Sequence, residues 1–461
     1  SIFALDITDP ANFSESNPGA TVKGEWGPGN ICTTSGVTSS GACNGADLGD
    51  SFGTPVITRF NNGKWGFVFG NGFNSTTGVA SIFVGLIGST GSVTFYELKT
   101  GYDPSNDPGG KNRPDGIAFV TAVDLNNDNS TDYVYAGDYF GNVWRFNLTS
   151  SSPSNWGVGY AGVSGAGSAK PMFVATNDAV TDQPITTKLL VVAVPGASGY
   201  PRVMVEFGTG ADVTDLQQAP DTLASGVQSL YGVWDWDFSQ WNKGTPGTGV
   251  DAQTPIAFQY AFLLRSDGPG KLARTNLHGQ SITDEVSTNT VQGGVNNNRV
   301  VSQTAVCWVD SSCTTSDDYG WYMDLVSSME GRQGEKVVYS PVLRSGVFLV
   351  NTTIPTTASG LTCETAAING WTMALDPENG GRLPFEVFDT KGNQKFEEVT
   401  VGVKTVPSSG ITLGAVGSPG FVTYGGQTYL VINTGSGEAK VALTNLGTGD
   451  LAVQLSWQEL R

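Results

Sequence analysis

Residues 124–148, "DLNNDNSTDYVYAGDYFGNVWRFNL", combine a run of oxygen-bearing side chains with an alternating segment rich in aromatic residues. The oxygens stand at every second position: Asp124, Asn126, Asp128, Ser130 and Asp132. This spacing matches positions 1, 3, 5, 7 and 9 of a calcium loop, in which the chain wraps around one hard cation. The flanking segments "AFVTAV" and "YVYAGD" have the composition of strands. The stretch therefore predicts a calcium loop between two β-strands, not a helix–loop–helix.

Two positions distinguish this loop from the EF-hand pattern. Position 6 is Asn129 where the EF-hand has Gly, and position 12 is Tyr135 where it has a bidentate Glu. Asn tolerates the left-handed backbone conformation better than most residues. We expect Ser130 to offer its backbone carbonyl, and Asp132 to bind the ion directly or through water. The alternative is a solvated turn rich in Asn and Asp, in which three neighbouring carboxylates would repel one another.

The composition indicates an all-β protein with an acidic surface. Gly accounts for 62 of 461 residues, and no stretch carries apolar residues at helical spacing over three turns. The 24 basic residues are outnumbered by 42 acidic ones. The resulting net charge of −18 argues against binding to nucleic acid or to an anionic membrane surface. The longest apolar runs, such as "LLVVAVP" at 189–195, are strand-sized and too short to span a membrane.

An alternating strand with aromatic or apolar residues recurs along the chain and ends each time in a turn. Alternation predicts one buried and one wet face for each copy. The copies are "SIFALDITDP" (1–10), "VTFYELKTG" (93–101), "NVWRFNLTS" (142–150), "SLYGVWDWD" (229–237), "GWYMDLVSS" (320–328), "WTMALDPENGG" (371–381) and "QLSWQELR" (454–461). Six or seven such units with uneven spacing favour a β-propeller, and two stacked β-sandwiches are the competing architecture.

Three polar segments, 102–116, 239–255 and 281–298, interrupt the pattern and are interpreted as long inserted loops. The chain starts at Ser1 inside a predicted strand, without the pattern of a signal peptide. We therefore expect residues 1–461 to form a single β-propeller domain that is a fragment of a longer precursor.

Five cysteines predict local disulfides in an oxidising compartment. Cys32 and Cys43 flank a polar loop, and Cys307 and Cys313 are separated by only a few residues. Cys363 stands apart, so it is either free or the partner of one member of the second pair. The alternative is a set of unpaired thiols in a reducing compartment, although polar loops are a poor place for structural thiols.

The calcium loop resembles that of the C-terminal β-propeller of PilY/PilC-type type IV pilus proteins. Further motifs resemble that family along almost the whole chain: "RFNNGKWGFVFGNGFNS" (59–75), "FGTGADVTD" (207–215), "QSLYGVWD" (228–235), "GWYMDL" (320–325), "EKVVYSPVLRSGVFLVNTTIPT" (335–356), "GWTMALDPENGGRL" (370–383) and the terminal "SWQEL". The resemblance implies a modified seven-bladed propeller. It also implies that the family's calcium ligands correspond to the five residues named above, with Ser130 acting through its backbone. The family's N-terminal region, often von Willebrand A-like, has no counterpart in this sequence.

The resemblance further implies a secreted factor at the pilus tip or the outer cell surface. Such a factor works in adhesion and in the balance of pilus extension and retraction, in some members under control of calcium. The expected partners are minor pilins at the pilus tip, a host or abiotic surface, and the protein's own N-terminal region.

We also consider a propeller enzyme, either quinoprotein-like or carbohydrate-active. A quinone cofactor needs convergent cationic and polar groups, and the thinly spread basic residues suggest no such set. A glycosidase needs two carboxylates at a fixed separation, which cannot be singled out among 42 acidic residues. The single histidine, His278, weakens any histidine-based triad. A non-enzymatic adhesion and pilus-regulation module is therefore the favoured interpretation.

Overall fold

A computed structural model describes most of the chain. The described residues are 1–159, 171–178, 181–196, 201–212, 226–235, 272–287, 297–309, 311, 313, 318–355, 369–434, 437–447 and, for the backbone, 453–454. The predicted loop 239–255 and Cys363 lie outside these ranges. The chain divides into two compact units, Ser1–Met172 and Phe173–Ser456, which are described separately below.

The first unit is built from short antiparallel strands. They are β1 (Ile2–Leu5), β2 (Val22–Trp26), β3 (Val37–Thr38), β4 (Gly41–Ala42), β5 (Val56–Arg59), β6 (Trp65–Gly70), β7 (Ser81–Ile87), β8 (Val93–Lys99), β9 (Val120–Val123), β10 (Tyr133–Gly137), β11 (Asn142–Asn147) and β12 (Gly157–Val158). Strands β5 to β8 form one four-stranded sheet in sequence order, and β9 to β12 follow one another in a second sheet. Strands that pair with their neighbours in sequence need only short hairpin connections.

Two apolar clusters hold this unit together. One is shared by the sheet of β5 to β8 and the sheet that contains β9 to β12. It contains Trp144, Phe146, Trp156 and Phe60, all fully buried. The other is an aromatic layer over β6, β7 and β8 that includes Phe69, Phe83 and Phe95. Burial of such large side chains is the main favourable contribution to folding.

The second unit contains larger sheets. Its strands are β13 (Phe173–Val174), β14 (Leu190–Val194), β15 (Arg202–Gly208), β16 (Ser229–Trp234), β17 (His278–Gln280), β18 (Ile282–Ser287), β19 (Asn297–Val301), β20 (Gly320–Asp324), β21 (Val342–Arg344), β22 (Val347–Asn351), β23 (Thr372–Leu375), β24 (Val399–Val401), β25 (Lys404–Val406), β26 (Gly410–Ile411), β27 (Ala415–Tyr424), β28 (Gln427–Thr434), β29 (Ala439–Thr444) and β30 (Val453–Gln454). The two six-stranded sheets have the orders β17-β20-β16-β15-β14-β30 and β18-β19-β26-β23-β22-β21. Strands β27, β28 and β29 form a separate sheet that packs on Val347, Leu349 and Phe388.

Helices in the described ranges are single turns. They are α1 (Pro18–Thr21) and the 3₁₀ turns Pro10–Asn12, Gly45–Asp47, Pro104–Asn106, Pro153–Asn155 and Arg274–Asn276. Pro begins most of them, since its fixed φ suits the first helical position. None of the helices in this part of the chain is long and apolar enough to cross a membrane.

Six of the seven recurring segments contain a strand at the predicted place, namely β1, β8, β11, β16, β20 and β23. The seventh, 454–461, lies almost entirely outside the described residues. The predicted solvent-exposed face is present in β1. The same prediction is wrong for β16 and β23, in which every residue is buried. Their small and apolar residues allow neighbouring layers to cover both faces of the strand.

The predicted loop 281–298 is wrong in part, because β18 occupies Ile282–Ser287 and β19 begins at Asn297. Residues 288–296 of this prediction lie outside the described ranges. This strand pairs antiparallel with β19, and Glu285 lies opposite Arg299 in the register. The segment looked like a loop because its strand residues are mostly polar. Tertiary pairing, including the contact between these two charged side chains, overrides that weak local signal.

Both predicted disulfides are confirmed. Cys32 is bonded to Cys43, and Cys307 is bonded to Cys313. The first closes the loop that carries β3 and β4, beside the aromatic layer of the first unit.

Candidate metal-binding loop

The loop Asp124–Asp132 connects β9 to β10, which pair antiparallel. Tyr133 lies opposite Val123 in the register, and the Asp132 amide donates to the Val123 carbonyl at 2.9 Å. The loop is therefore a hairpin closed at its base by strand hydrogen bonds. The prediction that two strands of one sheet flank it is confirmed.

Inside the loop, side-chain oxygens accept hydrogen bonds from backbone amides. Asp124 Oδ2 accepts from the Asn129 amide at 2.7 Å, and its Oδ1 accepts from the Asp128 amide at 3.3 Å. Asn126 Oδ1 accepts from the Asp128 amide at 2.9 Å, and Asp128 Oδ1 accepts from the Ser130 amide at 2.8 Å. These local bonds curl the backbone tightly around the side chains of the first half of the loop.

Two asparagines make this curl possible. Asn129 has a φ of +64°, as its place at position 6 predicts, and Asn127 has a φ of +60°. Both residues occupy the left-handed region, which Asn enters at lower cost than other residues with a side chain. The role of Asn127 was not anticipated from the sequence.

Asp132 anchors the end of the loop and is only 2% exposed. Its Oδ2 accepts from the Leu125 amide at 3.0 Å, and its Oδ1 accepts from Asn61 Nδ2 at 3.3 Å. Asn61 also donates to the carbonyls of Thr131 and Leu148. A hairpin turn of the neighbouring sheet therefore fixes the loop. Sequence reasoning missed Asn61, because nothing in a polar Asn-Asn-Gly turn identifies a partner about 70 residues away.

The carboxylates of Asp124, Asp128 and Asp132 lie close enough to disfavour one another's negative charge. Burial raises the pKa of Asp132, and the charges of Asp124 and Asp128 raise it further, although hydrogen bonds from Leu125 and Asn61 oppose them. Asp128 is exposed and Asp124 is half-buried. In the part of the chain that the structure describes, no group of three or more His, Cys, Asp or Glu side chains has the arrangement of a metal centre.

The structure thus places the five predicted residues in one hairpin loop but brings few of their oxygens together. Asp124, Asn126 and Asp128 turn toward backbone amides. The donor set itself, three carboxylates, an amide and a backbone carbonyl, contains only oxygen and suits a hard cation such as Ca²⁺.

Comparison with known proteins identifies relatives. The family described as "PilY1 beta-propeller domain" matches residues 1–259. The type IV pilus biogenesis factor PilY1 of Pseudomonas aeruginosa strain PAO1 is 30% identical over 430 residues, covering 89% of this chain and 31% of that protein. A PilY1 homologue from Xylella fastidiosa is 29% identical, covering 83% of this chain and 21% of the homologue. The chain therefore spans between about a fifth and a third of the length of these relatives.

The fold also matches a solved structure. The crystal structure of the Pseudomonas aeruginosa PilY1 C-terminal domain superimposes with a TM-score of 0.67 and 26% identity. The match covers 96% of this chain and 78% of that one. Together with the strand content described above, these matches establish that the chain is an all-β propeller protein and belongs to the PilY1 β-propeller family.

Proposed function

We propose that this chain is a calcium-binding, non-enzymatic module of type IV pilus biogenesis and adhesion. The observation that carries the proposal is the hairpin loop Asp124–Asp132, in which oxygens at alternate positions lie between two paired strands. The curated relatives are named as type IV pilus biogenesis factors, and those names describe no enzyme. We place the chain at the outer cell surface, at the pilus tip, because its relatives are named as factors of pilus biogenesis.

The donor atoms of the loop are of the type that a calcium ion binds. Asp124, Asn126, Asp128 and Asp132 would bind through their side chains, and Ser130 through its backbone carbonyl. A bound Ca²⁺ supplies positive charge that offsets the mutual repulsion of the three carboxylates. The left-handed residues Asn127 and Asn129 already give the backbone the curl that such a loop needs. The two flanking strands fix the ends of the loop. Calcium binding would therefore order the exposed middle of the loop and contribute little to the stability of the core.

The exposed middle of the loop is the natural site of a regulatory effect. Residues 126–129 are exposed, whereas Ser130 and Asp132 are buried. Calcium would therefore change the conformation and charge of a surface patch. We propose that this patch contacts minor pilins or the protein's own N-terminal region. Its state would then regulate pilus extension and retraction and attachment to host or abiotic surfaces.

Asp128→Asn tests this role in a piliated strain that carries the full-length protein. The substitution removes one ligand charge from an exposed position, and the amide oxygen can still accept from Ser130. We expect a folded protein whose surface piliation and twitching no longer depend on calcium. Piliation is measured by shearing and immunoblotting, and twitching by the width of the colony zone.

Asp9→Asn is the matched control. Asp9 is also exposed, and its side chain likewise accepts from a backbone amide two residues further on, that of Ala11. This variant should behave like the wild type. Asp132 is a poorer choice, because its buried carboxylate also holds Leu125 and Asn61. Wild-type piliation and motility in Asp128→Asn at every calcium concentration would rule out the regulatory role.

A further inference from the structure

Lys99, Asp47 and Glu97 form a compact cluster in the first unit that takes no part in the calcium loop. Glu97 and Lys99 lie two residues apart on β8, so they project from the same face of the strand. Asp47 ends the 3₁₀ turn Gly45–Asp47. Lys99 Nζ lies 2.9 Å from Asp47 Oδ2 and 3.4 Å from Glu97 Oε2. The amine therefore contacts both carboxyl groups at once.

The cluster is shielded from water. The side chains of Asp47 and Glu97 are 2% and 0% exposed, and that of Lys99 is 23% exposed. Phe83 lies opposite Glu97 in the register of β7 and β8, and the neighbouring Phe95 is buried on the same face of β8. This aromatic layer lowers the local dielectric constant and strengthens every electrostatic contact within the cluster.

Each carboxyl group is oriented by further donors. Asp47 Oδ1 accepts from Thr77 Oγ1 at 2.6 Å and from Asn44 Nδ2 at 2.9 Å. The other oxygen, Oδ2, is left to face the amine. When a nucleophile adds to the carboxyl carbon, negative charge develops on its oxygen. Two hydrogen-bond donors on that oxygen stabilise this charge.

Glu97 is equally fixed and is placed to carry protons. Its Oε1 accepts from Ser81 Oγ at 2.9 Å, and its Oε2 accepts from the Asn44 amide at 2.8 Å. Burial raises the pKa of Glu97 to about 8, and a hydrogen bond with Asp47 contributes to that rise. At neutral pH Glu97 is therefore mostly a neutral acid hydrogen-bonded to Asp47.

The Lys99 amine starts the reaction in its charged form. Burial would lower its pKa, but the contacts of the ammonium group with Asp47 and Glu97 outweigh burial and raise it. An attack by this amine consequently requires a neighbour that removes a proton. Glu97 is that neighbour once it has passed its own proton to Asp47.

We propose that Lys99 Nζ and Asp47 Cγ join in an intramolecular isopeptide bond, with Glu97 as the proton carrier. Glu97 protonates Asp47 Oδ2 and then takes a proton from the Lys99 ammonium. The amine attacks Cγ, and the negative charge that develops on Oδ1 is held by Thr77 and Asn44. The bond from Cγ to Oδ2 breaks while Glu97 relays a second proton from the nitrogen to the departing oxygen.

The atoms balance without a co-reactant. One ammonium and one carboxylate become one amide and one water molecule, and nothing is oxidised or reduced. The fixed contact between the amine and the carboxyl group supplies the proximity that drives condensation in a folded protein. The bond would tie the segment that follows the Cys32–Cys43 disulfide to the edge strand β8.

The mass of the wild-type chain decides between a covalent bond and an ion pair. The folded protein is incubated at neutral pH, denatured, reduced and measured as an intact chain by mass spectrometry. We expect a mass lower than that of the reduced sequence by one water molecule. Peptide mapping should then find the peptides that contain Asp47 and Lys99 joined. A full-sequence mass after prolonged incubation of the folded protein would overturn the proposal.

Variants distinguish the loss of water through this isopeptide bond from a loss of water elsewhere in the chain. Lys99→Arg and Glu97→Gln should both have their full sequence mass, whereas Lys64→Arg, which alters an exposed lysine, should still lack one water. Far-UV circular dichroism identifies a variant that fails to fold. A water loss that persists in Lys99→Arg would contradict the proposal, since it would place the condensation elsewhere, for example at Asp115-Gly116.

Discussion

Trp144→Ala is expected to lower the free energy of unfolding of the first unit by about 3–5 kcal/mol. The Trp144 indole is fully buried in the apolar cluster that the sheet of β5 to β8 shares with the sheet containing β9 to β12. Its ring contacts Tyr102 edge-on, with centroids 5.0 Å apart. Its Nε1 also donates to Asp138 Oδ2 at 2.7 Å, and Asp138 is itself fully buried. The substitution therefore leaves a large cavity and removes a donor from a buried carboxyl group.

Urea unfolding followed by far-UV circular dichroism measures this effect. Trp144→Phe keeps most of the ring contacts and loses only the N–H donor, so it should cost less, about 1–3 kcal/mol. Trp65→Ala is the control, because Trp65 is 56% exposed on β6 and its loss should change stability by no more than about 0.5 kcal/mol. Equal effects of Trp144→Ala and Trp65→Ala would contradict the placement of Trp144 in the core.

Arg299→Met is expected to destabilise the second unit by about 3–5 kcal/mol. Arg299 on β19 is fully buried and bridges two carboxylates. Its Nη1 and Nη2 lie 2.8 and 2.9 Å from the oxygens of Glu335, and its Nη2 lies 2.8 Å from Glu285 Oε1. The guanidinium also stacks on Trp371, 4.1 Å from the ring centroid. Removing the cation leaves the buried Glu335 carboxylate without its counter-charge.

Arg332→Met is the matched control for this substitution. Arg332 pairs with Asp178 at 3.1 Å, but the two side chains are 68% and 56% exposed. Exposed ion pairs contribute about 0–1 kcal/mol, so this variant should unfold almost as the wild type does. Adding Glu335→Gln to Arg299→Met should restore part of the lost stability, because it removes the buried negative charge that has lost its partner. A double variant no more stable than Arg299→Met would show that lost packing dominates instead.

Local features of this fold were accessible from the sequence. Alternation and turn residues identified most of the recurring strands, and the flanks of the loop were assigned correctly as β9 and β10. The left-handed conformation of Asn129 followed from its position in the calcium pattern. The two disulfides followed from short separations in polar loops. In each case the determinants lie within a few residues of one another.

Features that depend on tertiary contacts were not accessible. Asn61 holds Asp132 from the turn of another sheet, and no local pattern connects the two residues. The polar strand β18 forms because β19 offers it a partner and an opposite charge. The cluster of Lys99 with Asp47 likewise joins residues about 50 positions apart, and only the folded chain brings them together.

Calcium titration of the purified chain by isothermal calorimetry measures directly whether the loop at residues 124–132 binds calcium. We predict one Ca²⁺ per chain for the wild type and for Asp9→Asn, and loss of that binding in Asp128→Asn with an unchanged circular dichroism spectrum. The calcium affinity should fall as the pH is lowered, because protons compete with the ion for the carboxylate ligands. Since the pKa of Asp132 is raised, this competition begins at a higher pH than it would at an ordinary aspartate. Absence of binding in the wild type, or equal binding in Asp128→Asn, would contradict a calcium site at residues 124–132.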